Sequence, residues 1–143
     1  MKANCYLNQM NKINLKEYTV LIVEDDAMSY KFLEIVLTKK TGINIVWAID
    51  GKQALDYCKV YKHIDIILTD LQLPVIDGFE IVKQIKSKNP HIPIIVQSAN
   101  AFNNEMKKCL ELGCNAYMTK PLDGDLLIKN IESLLRPVTS KTA

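Results

Sequence analysis

The absences in this chain narrow the field first. Its 143 residues contain no apolar run approaching the roughly 20 needed to cross a bilayer. The N-terminal stretch MKANCYLNQMNKINLKEY has no continuous apolar core and does not read as a signal peptide. Excess charge is missing too. Lys and Arg number 18 against 16 Asp and Glu, and a net +2 is too small to argue for nucleic acid or a membrane surface. Only two histidines are present, and the four cysteines, Cys5, Cys58, Cys109 and Cys114, show no CxxC spacing. That donor set argues against a zinc site. Thiols without an export signal favour a reducing cytoplasm, and Cys58 and Cys109 fall on apolar positions of helical patterns, as small core residues do. His63 and His91 each precede an apolar run and read as loop or edge residues. There is no internal repeat and no low-complexity tract.

What is present is alternation. Short apolar runs at Tyr18–Val23, Ile43–Ala48, Ile64–Thr69, Ile92–Gln97 and Ala116–Met118 are separated by longer amphipathic stretches. The runs are mostly continuous Ile, Val and Leu, as expected of strands covered on both faces. Between them, Met28, Phe32, Ile35 and Val36 predict one helical face, Ala54, Leu55 and Cys58 a second, and Ile81, Val82 and Ile85 a third. Met106, Cys109 and Leu110 give a fourth, and Leu127, Ile131 and Leu134 a fifth. Gly42 and Gly113 fall where helices must stop, and Pro90 and Pro93 bracket the entry to the fourth run. Five βα units in a chain of this length predict one α/β domain, a doubly wound parallel sheet with helices on both faces. Residues 1–17 read as a polar leader or linker, 18–136 as the domain, and 137–143 as a frayed tail.

Ligands of open α/β sheets bind beyond the carboxyl ends of the strands, so the residues there carry the functional information. The first run ends in Glu24-Asp25-Asp26, the third in Thr69-Asp70, the fourth in Gln97-Ser98-Ala99-Asn100, and the fifth in Thr119-Lys120-Pro121. The second offers only Asp50-Gly51, a turn into the next helix. Asp26 is well placed as a helix N-cap, and Asp77-Gly78 as the turn and cap of the third helix. Asp70 is different. It closes a buried run, where an unpaired carboxylate would cost several kcal/mol or shift its pKa upward. It needs a cation, and either Lys120 or a metal held with Asp25 would serve. Carboxylates from two strands make an oxygen-rich hole suited to Mg²⁺. A lysine and a hydroxyl opposite would suit a phosphoryl group, with Asp70 as the nucleophile.

The acidic pair, LTDLQLPVIDG, VQSAN and YMTKP, in that order at strand ends, closely resemble the receiver domain of two-component response regulators. The resemblance covers about residues 18 to 136. It implies a flavodoxin-like (βα)5 fold with strand order 2-1-3-4-5. It implies a cytoplasmic, bacterial phosphorelay protein in which Asp70 takes a phosphoryl group from a histidine kinase or histidine phosphotransfer protein. Such a domain is a self-phosphorylating acceptor with autophosphatase activity rather than a true enzyme. Asp25 would bind Mg²⁺ directly together with Asp70, Glu24 through water, and Gln72 through its backbone carbonyl. Ser98 and Lys120 would each hold a phosphoryl oxygen, and Tyr117 would be the aromatic switch. The Lys120–Pro121 bond would be cis. Gln72 and Asn100 would flank the site where acyl-phosphate hydrolysis is tuned. Glu24 replaces the commoner Asp and Ser98 the commoner Thr, and both keep the needed group.

The resemblance also implies a downstream protein target on the face built from about residues 101 to 135, where Tyr117 moves. No helix-turn-helix pattern follows the fifth helix, so output is expected through protein contact, without nucleic acid or membrane. The chain fits a stand-alone regulator, a receiver from a hybrid histidine kinase or one from a larger regulator, and a weak dimer is among the assemblies it leaves open. Two rival functions remain at this level. A pseudo-receiver would bind partners without phosphorylation. A haloacid-dehalogenase-like phosphatase would need a second Asp two residues after the first, where this chain has Gln72.

Overall fold

The computed structural model describes residues 13–101 and 103–136, so residues 1–12 of the expected leader and the expected tail, 137–143, lie outside the described residues. The strands are β1 (Thr19–Val23), β2 (Asn44–Ala48), β3 (Ile66–Asp70), β4 (Ile94–Ser98) and β5 (Ala116–Thr119). The helices are α1 (Ala27–Thr41), α2 (Gly51–Val60), α3 (Gly78–Lys88), α4 (Asn103–Leu112) and α5 (Gly124–Leu135). All strand pairs are parallel, in the order β2-β1-β3-β4-β5, as expected. A 3₁₀ turn at Leu15–Glu17 precedes β1, and Leu15, within the stretch read as leader, is buried in the core.

The uninterrupted apolar character of the strands follows from two-sided burial. Leu21 and Val23 of β1 pack with α2, α3 and α4 through Ala54, Ile81, Val82, Ile85 and Cys109. Val20 and Ile22 face the other way, onto Leu33 and Leu37 of α1 and Leu127 and Ile131 of α5. The central strands β1, β3 and β4 are buried on both faces almost throughout, whereas the edge strands β2 and β5 are partly exposed.

Helix starts are set by aspartates. Asp26, Asp50, Asp77 and Asp123 accept backbone N–H groups in the first turns of α1, α2, α3 and α5, as the cap preference of Asp predicts. At the C-terminus of α4, the Cys114 N–H bonds to the Cys109 carbonyl and the Gly113 N–H to that of Leu110. Gly113 sits at φ +108° between them, the conformation this cap requires and that a side chain would strain.

Two helical faces differ from expectation. In α1 the core residues are Leu33 and Leu37, while Met28 is 82% exposed and Phe32 and Ile35 also face solvent. This helix carries apolar residues on nearly every side, so spacing alone could not select the buried stripe. In α4, Cys109 points inward, but Met106 and Leu110 are exposed. Both helices therefore present apolar side chains outward.

Candidate functional site

Register brings the polar strand ends to one rim. Asp70 is aligned with Gln97, and Ser98 with Thr119. The ladder continues past the strands through Glu24 N–H to Ala48 O, Leu71 N–H to Gln97 O, and Lys120 N–H to Ser98 O, at 2.8–3.0 Å. The first residues beyond β1, β3 and β5 are thus held by backbone bonds. Gly78 anchors the underside. Its N–H donates to Leu71 O at 2.8 Å, and a Cβ there would lie 2.6 Å from Leu71 Cα. Only glycine lets α3 start so close to the end of β3.

At the centre lies Asp70, 6% exposed. Lys120 Nζ donates to its Oδ2 at 2.5 Å, and the Gln72 N–H to its Oδ1 at 3.0 Å. Of the two cations left open by the sequence, Lys120 is therefore in place. The Lys120–Pro121 bond is cis, as expected. Glu24 is buried beside this pair, with Lys120 Nζ 3.6 Å from Oε2. Gln97 Nε2 donates to the same oxygen and the Asp26 N–H to Oε1, each at 3.1 Å. Burial pushes the Glu24 carboxyl up to about 7, against the pull of the Asp26 N–H and Lys120. Burial also works against the charge on Lys120, but Asp70 and Glu24 outweigh it and hold the ammonium pKa above its ordinary value.

Carboxylate oxygens of Glu24, Asp25 and Asp70 lie within 4.8 Å of one another. Three formal negative charges face the single ammonium of Lys120, which leaves the cluster two charges short of neutrality. Asp70 and Asp25 add smaller upward pushes to the Glu24 pKa, beneath the dominant effect of burial. Exposed Asp25 keeps one side open to solvent. An all-oxygen, under-neutralised and partly open cluster fits a hard divalent cation such as Mg²⁺, which keeps several waters in its shell.

The other half of the rim holds hydroxyl and amide groups. Ser98 is fully buried, and its Oγ accepts the Asn100 N–H at 3.1 Å. The half-buried Tyr117 donates its hydroxyl to Asn100 O at 2.8 Å. Burial raises the phenol pKa. Gln72 is exposed in the loop after β3 and lines, with Asp25, Pro74, Asp77 and Glu105, a cleft of about 500 Å³. In that loop the Ile76 N–H bonds to Pro74 O at 2.8 Å around Val75, whose φ of +72° makes a γ-turn costly for a β-branched residue.

The structure thus gathers Glu24, Asp25, Asp70 and Lys120 at one point and sets Ser98, Asn100 and Tyr117 alongside. Three participants were not singled out from sequence. Gln97 was seen as a strand-end residue, but its bond to Glu24 needed the register. Glu105 approaches Ser98, Asn100 and Tyr117 from the first turn of α4. Trp47, the only tryptophan, donates its indole N–H to Glu24 O at 2.8 Å and stacks on Tyr30 at 3.9 Å.

A family model described as the response regulator receiver domain matches residues 20–132. The hybrid signal transduction histidine kinase I of Dictyostelium discoideum is 38% identical over 122 residues, spanning 80% of this chain and 7% of that protein. The polar-differentiation response regulator DivK of Brucella ovis is 33% identical over 119 residues, spanning 82% of this chain and 95% of that one. The receiver domain of Francisella response regulator 1452 superposes with a TM-score of 0.77 at 30% identity, covering 82% of this chain and 96% of the other. The chain spans well under two thirds of several relatives, 31% of a Thermotoga maritima cyclic di-GMP phosphodiesterase among them. With the strand order and the acidic strand ends described above, these likenesses show that the chain belongs to the response regulator receiver domain family.

Proposed function

We propose that this domain accepts a phosphoryl group on Asp70 from a phosphohistidine of a histidine kinase or phosphotransfer protein, in a Mg²⁺-dependent reaction. One observation carries this reading: a buried strand-end carboxylate has an ammonium on one oxygen and two further carboxylates within 4.8 Å. Asp70 attacks phosphorus, the P–N bond of the donor breaks, and the imidazole leaves with the electron pair and is protonated. Asp25 and Asp70 would hold the metal directly and Glu24, both of whose oxygens already accept hydrogen bonds, through water. The backbone carbonyl of Gln72 would complete the protein ligands in this reading. When bound, the ion neutralises charge on the transferring phosphoryl oxygens. Lys120 moves from the Asp70 carboxylate toward a phosphoryl oxygen, and Ser98 donates its hydroxyl to another. Both contacts exist only in the phosphorylated state, so phosphorylation biases a two-state switch.

Two apolar grooves support protein partners on either side of the site. One, of about 360 Å³, opens beside Lys120 and Gln97 between Met28, Phe32, Pro121 and Leu122, where the donor would lie. The other, of about 310 Å³, runs beside Tyr117 between Met106 and Leu126, on the 101–135 face where the downstream target would lie. Free thiols at Cys58, Cys109 and Cys114 fit residence in the cytoplasm.

Incubation with Mg²⁺ and acetyl phosphate or phosphoramidate, followed by intact mass measurement, tests this function. The expected result is one added phosphoryl group, absent in Asp70→Asn and diminished by EDTA. An unchanged wild-type mass would sink the phosphoacceptor reading in favour of an interaction-only domain.

A further inference from the structure

Glu105 has no part in the reaction just described, yet three groups of the hydroxyl side converge on its half-buried carboxylate. Ser98 Oγ lies 3.5 Å from Oε2, Asn100 Nδ2 lies 3.5 Å from Oε1, and the Tyr117 hydroxyl lies 3.4 Å from Oε2. Proton accounting sorts these contacts. Tyr117 has one O–H, and its nearer acceptor is Asn100 O at 2.8 Å. Ser98 Oγ already accepts the Asn100 N–H, so its own single proton is left to donate, and of the groups in reach, the Tyr117 hydroxyl oxygen and the Glu105 carboxylate, the charged carboxylate is the stronger acceptor. The resulting relay runs from the Asn100 amide through the Ser98 hydroxyl to the Glu105 carboxylate. Its second oxygen takes the Asn100 side chain, so one carboxylate grips both ends of the segment 98–100.

We infer that Glu105 is a positioning residue that restrains the switch by competing with the phosphoryl group for the Ser98 proton. The inference rests on the function proposed above, in which Ser98 must donate to a phosphoryl oxygen. A hydroxyl with one proton cannot serve both acceptors, so engagement of the phosphoryl group requires release from Glu105. Charge works in the same direction. Glu105 lines the cleft shared by Asp25 and Gln72, where it adds a negative charge close to where a phosphoryl anion is formed. The contacts of 3.4–3.5 Å are long for O–H···O bonds, which average about 2.7–2.8 Å. The grip is therefore a weak restraint, released at small cost.

The test is the affinity for beryllofluoride, a phosphoryl analogue, in the presence of Mg²⁺. It is measured by calorimetry for wild type, Glu105→Gln, Glu105→Ala, Ser98→Ala and the Ser98→Ala/Glu105→Ala double variant. Glu105→Ala should bind about three- to tenfold more tightly, the worth of one modest hydrogen bond. Glu105→Gln keeps a weaker acceptor and should fall between Ala and wild type. Without the Ser98 hydroxyl the same Glu105→Ala change should gain about twofold at most, the residue of a surface charge. A merely structural role for Glu105 predicts the opposite sign, because a loosened segment would bind the analogue less well. Unchanged or weaker binding by folded Glu105→Ala overturns the inference, and so does a full gain in the Ser98→Ala background. Wild type that binds no beryllofluoride would instead overturn the phosphoacceptor function itself, and this inference with it.

Discussion

The two halves of the rim are built to different tolerances. Around Asp70 and Glu24, hydrogen-bond donors sit at 2.5–3.1 Å from carboxylate oxygens, with Lys120 Nζ a longer 3.6 Å from Glu24, and both acids are almost wholly buried. Around Ser98 and Asn100, the side-chain contacts to Glu105 stretch to 3.5 Å, and Tyr117 is only partly covered. The tight half comes from strands at the centre of the sheet, β1 and β3, fixed by a ladder on each side. The loose half comes from the end of β4, the edge strand β5 and the first turn of α4. Chemistry gains from groups that need no reorganisation when charge moves, whereas a switch needs an element that rearranges at little cost. Under the function proposed above, the difference assigns each task a place: phosphoryl acceptance in the tight half and signal output in the loose half.

The division breaks most visibly at Lys120, which belongs to β5 by chain position but to the tight half by contact. Lys120→Ala removes the ammonium from two buried carboxylates and from the incoming phosphoryl oxygen. A lost charge-assisted bond predicts a ten- to hundredfold slower rate of acyl-phosphate formation, about 1.5–3 kcal/mol, measured with acetyl phosphate by intact mass over time. If that variant reacts at the wild-type rate, the ion pair is structural and the division fails at its strongest point.

A smaller effect follows from the two uncompensated charges of the acidic cluster. Mg²⁺ at about ten times its dissociation constant should raise stability by about 1.4 kcal/mol, read as a shift in thermal or urea unfolding. Asp25→Asn should remove most of that gain, while EDTA should return wild type to its metal-free curve. The environment of Trp47, bonded to Glu24 O, offers a second reading of the same titration through its fluorescence. Stabilisation by Mg²⁺ that persists undiminished in Asp25→Asn would place the metal elsewhere.

The tight half was also the more legible in sequence. Glu24, Asp25, Asp70 and Lys120 sit directly at the ends of continuous apolar runs, and once the strands are parallel their meeting is forced by topology. Helix caps at Asp26 and Asp77 were legible for a similar reason, since a cap acts within three residues of itself. What spacing could not supply was anything decided by a loop or by competition between faces. Glu105 meets Ser98 seven residues away in the chain, a contact that neither helical nor strand spacing predicts. In α1, Leu33 and Leu37 won the core over Phe32 and Ile35 because neighbouring elements, not the helix itself, choose which apolar stripe to cover.

Ser98→Ala provides the gentlest test and the sharpest. Ser98 is fully buried, and Ala fills nearly the same space, so the fold should lose little. What disappears is one hydroxyl that in the free protein takes the Asn100 N–H and makes a long contact to Glu105, and that would turn to the phosphoryl group only after Asp70 carries it. Acyl-phosphate formation from acetyl phosphate should therefore stay within about threefold of wild type, the lower end of a hydrogen bond's net worth. Beryllofluoride affinity should weaken by about three- to tenfold, because the bound analogue loses a hydrogen-bond donor. The two measurements on one variant separate the halves directly. Equal losses in both would mean that Ser98 already shapes the reacting geometry, and that the tight half of the rim extends to the end of β4.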